Sequence, residues 1–201
     1  MIKKLLAVTA IGLFAVASNQ ATAVEKTTIG NARTVVKTVI GSLDSERRNI
    51  QLLDDIYHNE VIETGDESAT EFVFLDETRL ALGPNSSLVL DRFVYDPASD
   101  TGSFVLTATA GVFRFVSGKL PKNAYVIHTP TATIGIRGTV FSFMVIAGSP
   151  EGAAKVVVTV EEGVAEITSC LGETVSLVPG ASTTVSMNPD GTCTTPTVPG
   201  A

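Results

Sequence analysis

The chain has 201 residues, of which 44% are hydrophobic and 17% are charged, and its formal net charge is −7. This length accommodates one domain with a substantial core. The acidic balance argues against nucleic acid as a partner, because phosphate binding requires clustered Lys and Arg.

The N-terminus has the three parts of a secretory signal peptide. Lys3 and Lys4 form a positive region, an almost wholly apolar run covers residues 5–17, and Ala21-Thr22-Ala23 supplies a small-x-small cleavage pattern. The apolar run is shorter than the roughly 20 residues that a membrane-spanning helix needs. We therefore expect cleavage after residue 23 and a mature chain with no membrane span. The expected location is the periplasm, the cell surface or the medium.

After a flexible leader at residues 24–33, the pattern predicts an all-β domain over residues 34–187. Stretches rich in Val, Ile, Phe and Thr are separated by Gly, Pro, Asn and Asp, and several place an apolar residue at every second position. The predicted strands are 34–40, 48–53, 71–75, 79–82, 88–94, 103–108, 112–116, 125–128, 133–136, 139–147, 155–160, 164–169, 174–177 and 182–187.

Two questions about the fold stay open at this level. Residues 47–60 also fit a helix, in which Ile50, Leu53 and Ile56 would share one face. Many short antiparallel strands with regular turns are typical of a sandwich, a barrel or a rolled, solenoid-like β architecture. The sequence does not choose among these arrangements.

Two weak internal echoes accompany the strand pattern. Residues 104–113 resemble residues 156–165, and residues 82–89 resemble residues 177–184. Each echo consists of an apolar strand, a Gly or Pro turn and another strand, a pattern that any all-β chain produces by chance.

The C-terminal segment contains one member of an isolated cysteine pair. In an exported protein such a pair most often forms a disulfide, so we predict a bond between Cys170 and Cys193. Residues 188–201 are rich in Pro, Thr and Gly and have little to bury, which predicts a flexible tail that the disulfide ties to the last strands.

The charges are unevenly distributed along the chain. Acidic residues dominate residues 44–79, whereas residues 103–150 carry no acid and only four basic residues. One interpretation is a set of solvated turns and strand faces, and the other is a molecule with an acidic and a basic surface. The basic residues are Arg114, Lys119, Lys122 and Arg137.

No catalytic or metal-binding pattern emerges. The two histidines, His58 and His128, lack a metal-ligand spacing, and adjacent carboxylates such as Asp54-Asp55 point to opposite faces of a strand. There is no Gly-x-Ser-x-Gly elbow and no phosphate-binding glycine loop. We therefore predict a protein that is not an enzyme and that needs no cofactor.

One stretch, from Thr129-Pro130 to Arg137-Gly138-Thr139-Val140-Phe141, stands out from the rest. It resembles the signature of the FecR domain family, in which Thr-Pro, a small residue and Arg-Gly-Thr-x-Phe recur in this order. Further matches extend the resemblance to residues 53–187. They include Asp76 in a turn where the family usually has Asp-Gly-Ser, and Glu77 stands here in place of that glycine.

The motif also has a direct physical interpretation. Pro130 cannot donate to a strand ladder, and Gly135 and Gly138 on either side of Arg137 allow a bulge or a close backbone approach. Arg137 either pairs within this corner or binds a partner. Arg137, Gly138 and Thr139 are therefore the candidate interaction residues.

The resemblance implies a function in the bacterial envelope. In the regulators that name the family, a cytoplasmic anti-sigma segment and one membrane helix precede this periplasmic domain, which receives a signal from an outer-membrane receptor. A cleaved signal peptide would replace that front half here. The expected function is an exported non-catalytic binding module that contacts another envelope protein. The alternatives are a signal-sensing accessory and a module that recognises an envelope glycan or an anionic ligand.

Overall fold

A computed structural model describes residues 26–197, which contain fourteen strands and no helix. No segment of this range therefore forms a membrane-spanning helix. The predicted signal peptide lies outside the described residues. The strands are β1 Thr28–Val36, β2 Val39–Leu43, β3 Glu46–Asn49, β4 Asp55–Tyr57, β5 Val61–Thr64, β6 Ala69–Phe74, β7 Arg79–Leu82, β8 Ser87–Asp96, β9 Thr101–Val116, β10 Tyr125–His128, β11 Ala132–Ile146, β12 Ala154–Ser169, β13 Thr174–Leu177 and β14 Ser182–Met187.

The strands form two layers of one rolled sheet. In the first layer, hydrogen-bonded neighbours follow the order β3-β2-β5-β8-β9-β10-β11-β12-β13. In the second layer they follow the order β4-β1-β6-β7-β9-β11-β12-β14. The long strands β9, β11 and β12 belong to both layers. The pairing is antiparallel except between β9 and β10, which run parallel.

Each long strand changes layer at a glycine with positive φ. These glycines are Gly111 (114°), Gly138 (66°) and Gly163 (76°). Buried residues of β9 occupy even positions from Phe104 up to the glycine and odd positions from Phe113 onward. The strands β11 and β12 show the same change of parity. The extra residue acts as a β-bulge, so the apolar side chains still face the core after the strand has turned the corner.

The core lies between the two layers and is rich in phenylalanine. Phe104 of the first layer meets Phe74 and Phe115 of the second, with ring centroids 4.7 and 5.6 Å apart. Tyr125 of the first layer also reaches Phe115, at 5.6 Å. These aromatic pairs tie the layers together over a continuous buried cluster.

The all-β fold class predicted from the sequence is confirmed, and within residues 26–197 the strands form one rolled sheet of two layers that does not close into a barrel. The helical alternative for residues 47–60 is wrong, because this range contains β3 and β4. The strands β4 and β5 were not predicted, and the predicted strand 34–40 runs across the turn between β1 and β2. The predicted pairs of short strands around Gly111, Gly138 and Gly163 are each one long, bent strand.

The two internal echoes occupy equivalent places in the fold. The strands β7 and β8 pair with the second-layer and first-layer halves of β9. The strands β13 and β14 pair with the first-layer and second-layer halves of β12. In both cases, two short strands joined by a turn flank the two halves of one bent strand.

The predicted leader at residues 24–33 is too long, because β1 begins within it. Residues 28–33 form the first part of β1, where Ile29 and Ala32 are buried, and β1 pairs with β4 and β6. The polar residues Thr27, Thr28 and Asn31 hide this strand from a search for alternating apolar positions.

The expected flexible tail is also ordered up to residue 197. Cys170 and Cys193 form the predicted disulfide, with their Cα atoms 6.2 Å apart. Beyond it, the Thr194 N–H donates to the Ser186 carbonyl at 2.8 Å, and Thr183 Oγ1 donates to the Thr197 carbonyl at 2.8 Å. The tail therefore lies along the outer edge of β14. Composition alone does not predict these backbone partners.

Candidate functional site

Thr139 of the Arg-Gly-Thr motif is buried, and its hydrogen bonds link three strands. Its N–H donates to Ser117 Oγ at 3.0 Å, and its carbonyl accepts from the Ser117 N–H at 3.1 Å. Its hydroxyl donates to the Val164 carbonyl at 2.7 Å and accepts from the Val164 N–H at 3.2 Å. These bonds fix the end of β9, the bulge of β11 and the bend of β12, so Thr139 holds the corner together.

Gly138 and Gly163 complete this corner. The pairing of β11 with β12 shifts register after Arg137, where both glycines have positive φ. A Cβ atom on Gly163 would lie 2.0 Å from the Gly138 carbonyl oxygen. Gly163 therefore has no room for a side chain, and Gly138 takes a φ of 66° that favours glycine. Neither offers a side chain to a partner.

Arg137 differs from its two neighbours in the motif because its side chain points outward. Its guanidinium lies 2.8 Å from Glu166 Oε1, and the side chains of Arg137 and Glu166 are 58% and 36% exposed. An exposed ion pair contributes only about 0–1 kcal/mol to stability. The pair therefore lies on the outer face of the first layer, outside the corner that the sequence indicated.

A cleft of about 110 Å³ opens beside this ion pair. Gly135 pairs with Val126 on one side and Glu166 on the other, so the floor of the cleft is the outer face of β10, β11 and β12. Gly135 has no positive φ, and an added Cβ would meet only Glu166 atoms at 3.8 Å. From the sequence, Gly135 was expected to allow a bulge or a close backbone approach, and the structure shows neither at this position. The missing side chain of Gly135 instead leaves the cleft open. The lining consists of Asn123, Tyr125, Val126, Gly135, Ile136, Arg137 and Glu166.

A buried polar network anchors the wall of the cleft. The Tyr125 hydroxyl donates to Asp76 Oδ2 at 2.8 Å, and the Thr78 hydroxyl donates to the same oxygen at 2.7 Å. Burial raises the pKa of the Tyr125 hydroxyl, so Tyr125 remains a neutral donor. Glu77 takes a φ of 68° in this turn, which therefore forms without the family's usual glycine.

The basic residues of 103–150 are mostly neutralised by acids from elsewhere in the chain. Arg114 pairs with Glu161 at 2.8 Å, and Lys119 pairs with Glu77 at 2.6 Å. With Arg137 on Glu166, three of the four basic side chains have a carboxylate partner. This pairing favours the interpretation of solvated strand faces over a basic surface.

The side chains at the site are suited to binding a ligand. An amide, a guanidinium and a carboxylate surround a small apolar floor, and such groups fix an extended ligand by hydrogen bonds. Within residues 26–197, no three His, Cys, Asp or Glu side chains are grouped so that they would hold a metal ion. His128 is exposed beside Thr133 Oγ1, at 3.3 Å, on the polar face of its strand.

Sequence reasoning found Arg137 but missed most of its surroundings. Glu166 and Asn123 lie far from Arg137 in sequence and come together only through the pairing of β10, β11 and β12. Gly135 was the one available signal, since a glycine inside a strand often marks an open or closely approached surface.

The fold and the site together define an all-β domain that presents an open cleft on a rolled, two-layer sheet. The family model described as FecR protein matches residues 60–166, more than half of the chain. The chain therefore belongs to the FecR protein family, as the motif predicted, and the matched range falls inside the resemblance at residues 53–187.

Solved structures give a weaker likeness. Two crystal structures of a protein described as an anti-sigma factor from Parabacteroides distasonis align with TM-scores of 0.47 and 0.49, at 17% and 15% identity. Each alignment covers 67% of this chain and 57% of the other, so the chain spans little more than half the length of these structures. A search of curated proteins found no match.

Proposed function

We propose that this protein is an exported, non-catalytic binding module of the bacterial envelope. Its partner is another envelope protein, which the cleft beside Arg137 recognises. The observation that carries this proposal is the contrast within one motif. Gly138 and Thr139 are committed to the fold, whereas Arg137 lies exposed at the rim of a cleft.

The energetics of the ion pair support a role in binding. The Arg137–Glu166 pair contributes at most about 1 kcal/mol as an exposed pair in the free protein. When a partner covers it, the loss of water strengthens both the ion pair and any hydrogen bond that the partner adds. Arginine is also enriched at the centres of protein interfaces because its planar group makes several hydrogen bonds.

Gly135 supports the same conclusion. The backbone there is that of a regular strand, and a side chain would meet only ordinary van der Waals contacts. The packing of the core therefore does not require a glycine here, and its effect is to keep the floor of the cleft open. The open floor is suited to a backbone segment or a small side chain of a partner.

The test is a crosslinking pull-down of the tagged full-length protein from its own cells, read by mass spectrometry. Two variants remove the site in different ways: Arg137→Ala deletes the guanidinium, and Gly135→Val fills the cleft. Arg114→Ala is the matched control, because it removes an ion pair of similar exposure, with Glu161, from the outer face of the second layer.

We expect one dominant envelope protein with the wild type and with Arg114→Ala. Its recovery should fall about tenfold or more with each cleft variant. The melting temperature of every variant is measured in parallel, and we expect shifts of only a few degrees. Equal recovery of the partner by all four proteins would refute the assignment of the cleft.

A signal-sensing accessory is the second candidate function. Membership of the FecR protein family favours it. In this case the captured partner would be the signalling domain of an outer-membrane receptor, and a scaffold protein would argue against it.

Recognition of an envelope glycan or an anionic ligand is less well supported. Three of the four basic side chains in 103–150 are already paired with carboxylates. The chain has no Trp and only three Tyr residues, and aromatic side chains are what glycan sites commonly use. Copurification of glycan in place of a protein would reverse this order.

A further inference from the structure

The four strands at the ends of the two layers differ in how well their free backbone edges are protected from pairing with another strand. The tail covers β14, as described above. At the opposite end, β4 has only three residues, and Arg48 Nη2 donates to the Asp55 carbonyl there. The strand β3 carries Glu46, Arg47 and Arg48, and charged side chains discourage the addition of another strand. The remaining terminal strand, β13, has the sequence Thr-Val-Ser-Leu and carries no charge.

The free edge of β13 presents an ordered set of backbone groups. The Ser169 N–H donates to the Glu173 carbonyl at 2.8 Å, which makes Ser169 and Glu173 a hydrogen-bonded pair. Antiparallel pairs alternate, so Val175 and Leu177 also bond to β12. The N–H and C=O groups of Thr174 and Ser176 therefore point away from β12. No strand pairs with them within residues 26–197.

Two exposed apolar side chains flank this edge. Leu171 precedes β13 and is 58% exposed, and Val178 follows it and is 57% exposed. An uncharged strand edge with an apolar residue at each end differs from the three other terminal edges. It has the features of an interaction surface for an extended strand.

We propose that β13 pairs with β13 of a second copy of this chain, antiparallel, with Val175 on the two-fold axis. This register places Thr174 opposite Ser176 of the second copy, and these two residues carry the outward backbone groups. It also places Glu173 opposite Leu177 of the second copy, so no like charges meet. The interface is isologous and closes at two copies.

The flanking residues favour a second copy as the occupant. Leu171 lies in the turn before β13 and Val178 directly after it, so the antiparallel contact brings the Val178 end of each copy to the Leu171 end of the other. A neutral edge is also the region where two chains of net charge −7 repel each other least. This inference goes beyond the proposed function and does not depend on it.

Sedimentation of the full-length protein over a wide concentration range tests the inference. We expect a reversible dimer and, at high concentration, slower hydrogen exchange at the Thr174 and Ser176 amides. Ser176→Pro removes an outward N–H that has no bond within residues 26–197, and it should weaken the dimer roughly tenfold or more. Ser176→Lys is the second variant, because lysine protects an edge without the backbone restriction of proline.

Thr184→Lys is the control for the charge. Thr184 is exposed on β14, whose edge the tail covers, so this variant should dimerise like the wild type. Val175→Cys should form a disulfide between two copies, because the two residues at position 175 face each other as a non-hydrogen-bonded pair, whereas Thr184→Cys should not. A wild type that stays monomeric would overturn the inference. So would a dimer that both Ser176 variants leave intact, or a foreign peptide bound at β13 by a monomer.

Discussion

Substituting Gly163 by alanine tests how the long strands turn their corners. Gly163 has a φ of 76°, a conformation that costs an ordinary residue about 1–2 kcal/mol. The new Cβ would also lie 2.0 Å from the Gly138 carbonyl oxygen and 2.9 Å from the Thr139 Cα. Overpacking of a closely packed backbone costs about 1–3 kcal/mol more. The free energy of unfolding should therefore fall by about 2–5 kcal/mol.

Two other glycines separate these contributions. Gly172 has a φ of 83° but no atom within 4 Å of an added Cβ, so Gly172→Ala carries the conformational cost alone, about 1–2 kcal/mol. Gly135 has neither a positive φ nor a close contact, so Gly135→Ala should be neutral or stabilise by about 0.5 kcal/mol.

Urea unfolding of the three variants and the wild type measures the difference. We expect Gly163→Ala to be less stable than Gly172→Ala by about 2 kcal/mol, at an unchanged dependence on urea concentration. A gap below about 0.5 kcal/mol would show that the backbone of the corner yields freely. In that case the two glycines would not be what holds β11 against β12.

Further predictions concern the buried polar groups and the tail. Thr139→Val leaves the half-buried Val164 N–H and C=O without the threonine hydroxyl, so it should cost about 1–3 kcal/mol in urea unfolding, and Thr139→Ser should recover most of this loss. Burial raises the pKa of Glu60 above its usual range despite the ion pair with Arg48. The contribution of Glu60 to the free energy of unfolding is therefore complete below about pH 4.5 and is lost as the pH rises through the raised pKa. Thermal melts from pH 4 upward should therefore show the wild type losing stability relative to Glu60→Gln; a constant difference would contradict this. Replacing both Cys170 and Cys193 by serine should cost about 3 kcal/mol and speed hydrogen exchange at the Thr194 and Ser186 amides, while exchange in the centre of β11 stays slow.

The sequence predicted the fold best where burial alternates regularly. The strands β7, β10, β13 and β14 have the predicted bounds, because each is short and has turn residues at both ends. The long strands were cut at Gly111, Gly138 and Gly163, since a glycine between two runs of opposite parity has the pattern of a turn between two strands. Local pattern does not reveal that pairing continues on both sides of a bulge.

The errors near the termini have a different cause. The strand β1 and the tail owe much of their order to backbone hydrogen bonds with strands that are distant in sequence. The Ala32 N–H, for example, donates to the Asp54 carbonyl at 2.9 Å. Polar side chains such as Thr28 and Thr194 give no apolar signal for such pairing. Propensity therefore assigned these residues to a leader and a flexible tail.

The motif that identified the family is informative about the fold for a physical reason. Thr139 is buried, a Cβ on Gly163 would clash with the Gly138 carbonyl oxygen, and Gly138 has a φ of 66°, so the corner accepts few alternatives to Gly-Thr. The arginine is under no such constraint, because its ion pair with Glu166 is exposed and contributes little to stability. A match to this motif therefore shows how the strands turn. What the protein binds depends on the neighbours of Arg137 on the outer face, which three different strands and the segment before β10 bring together.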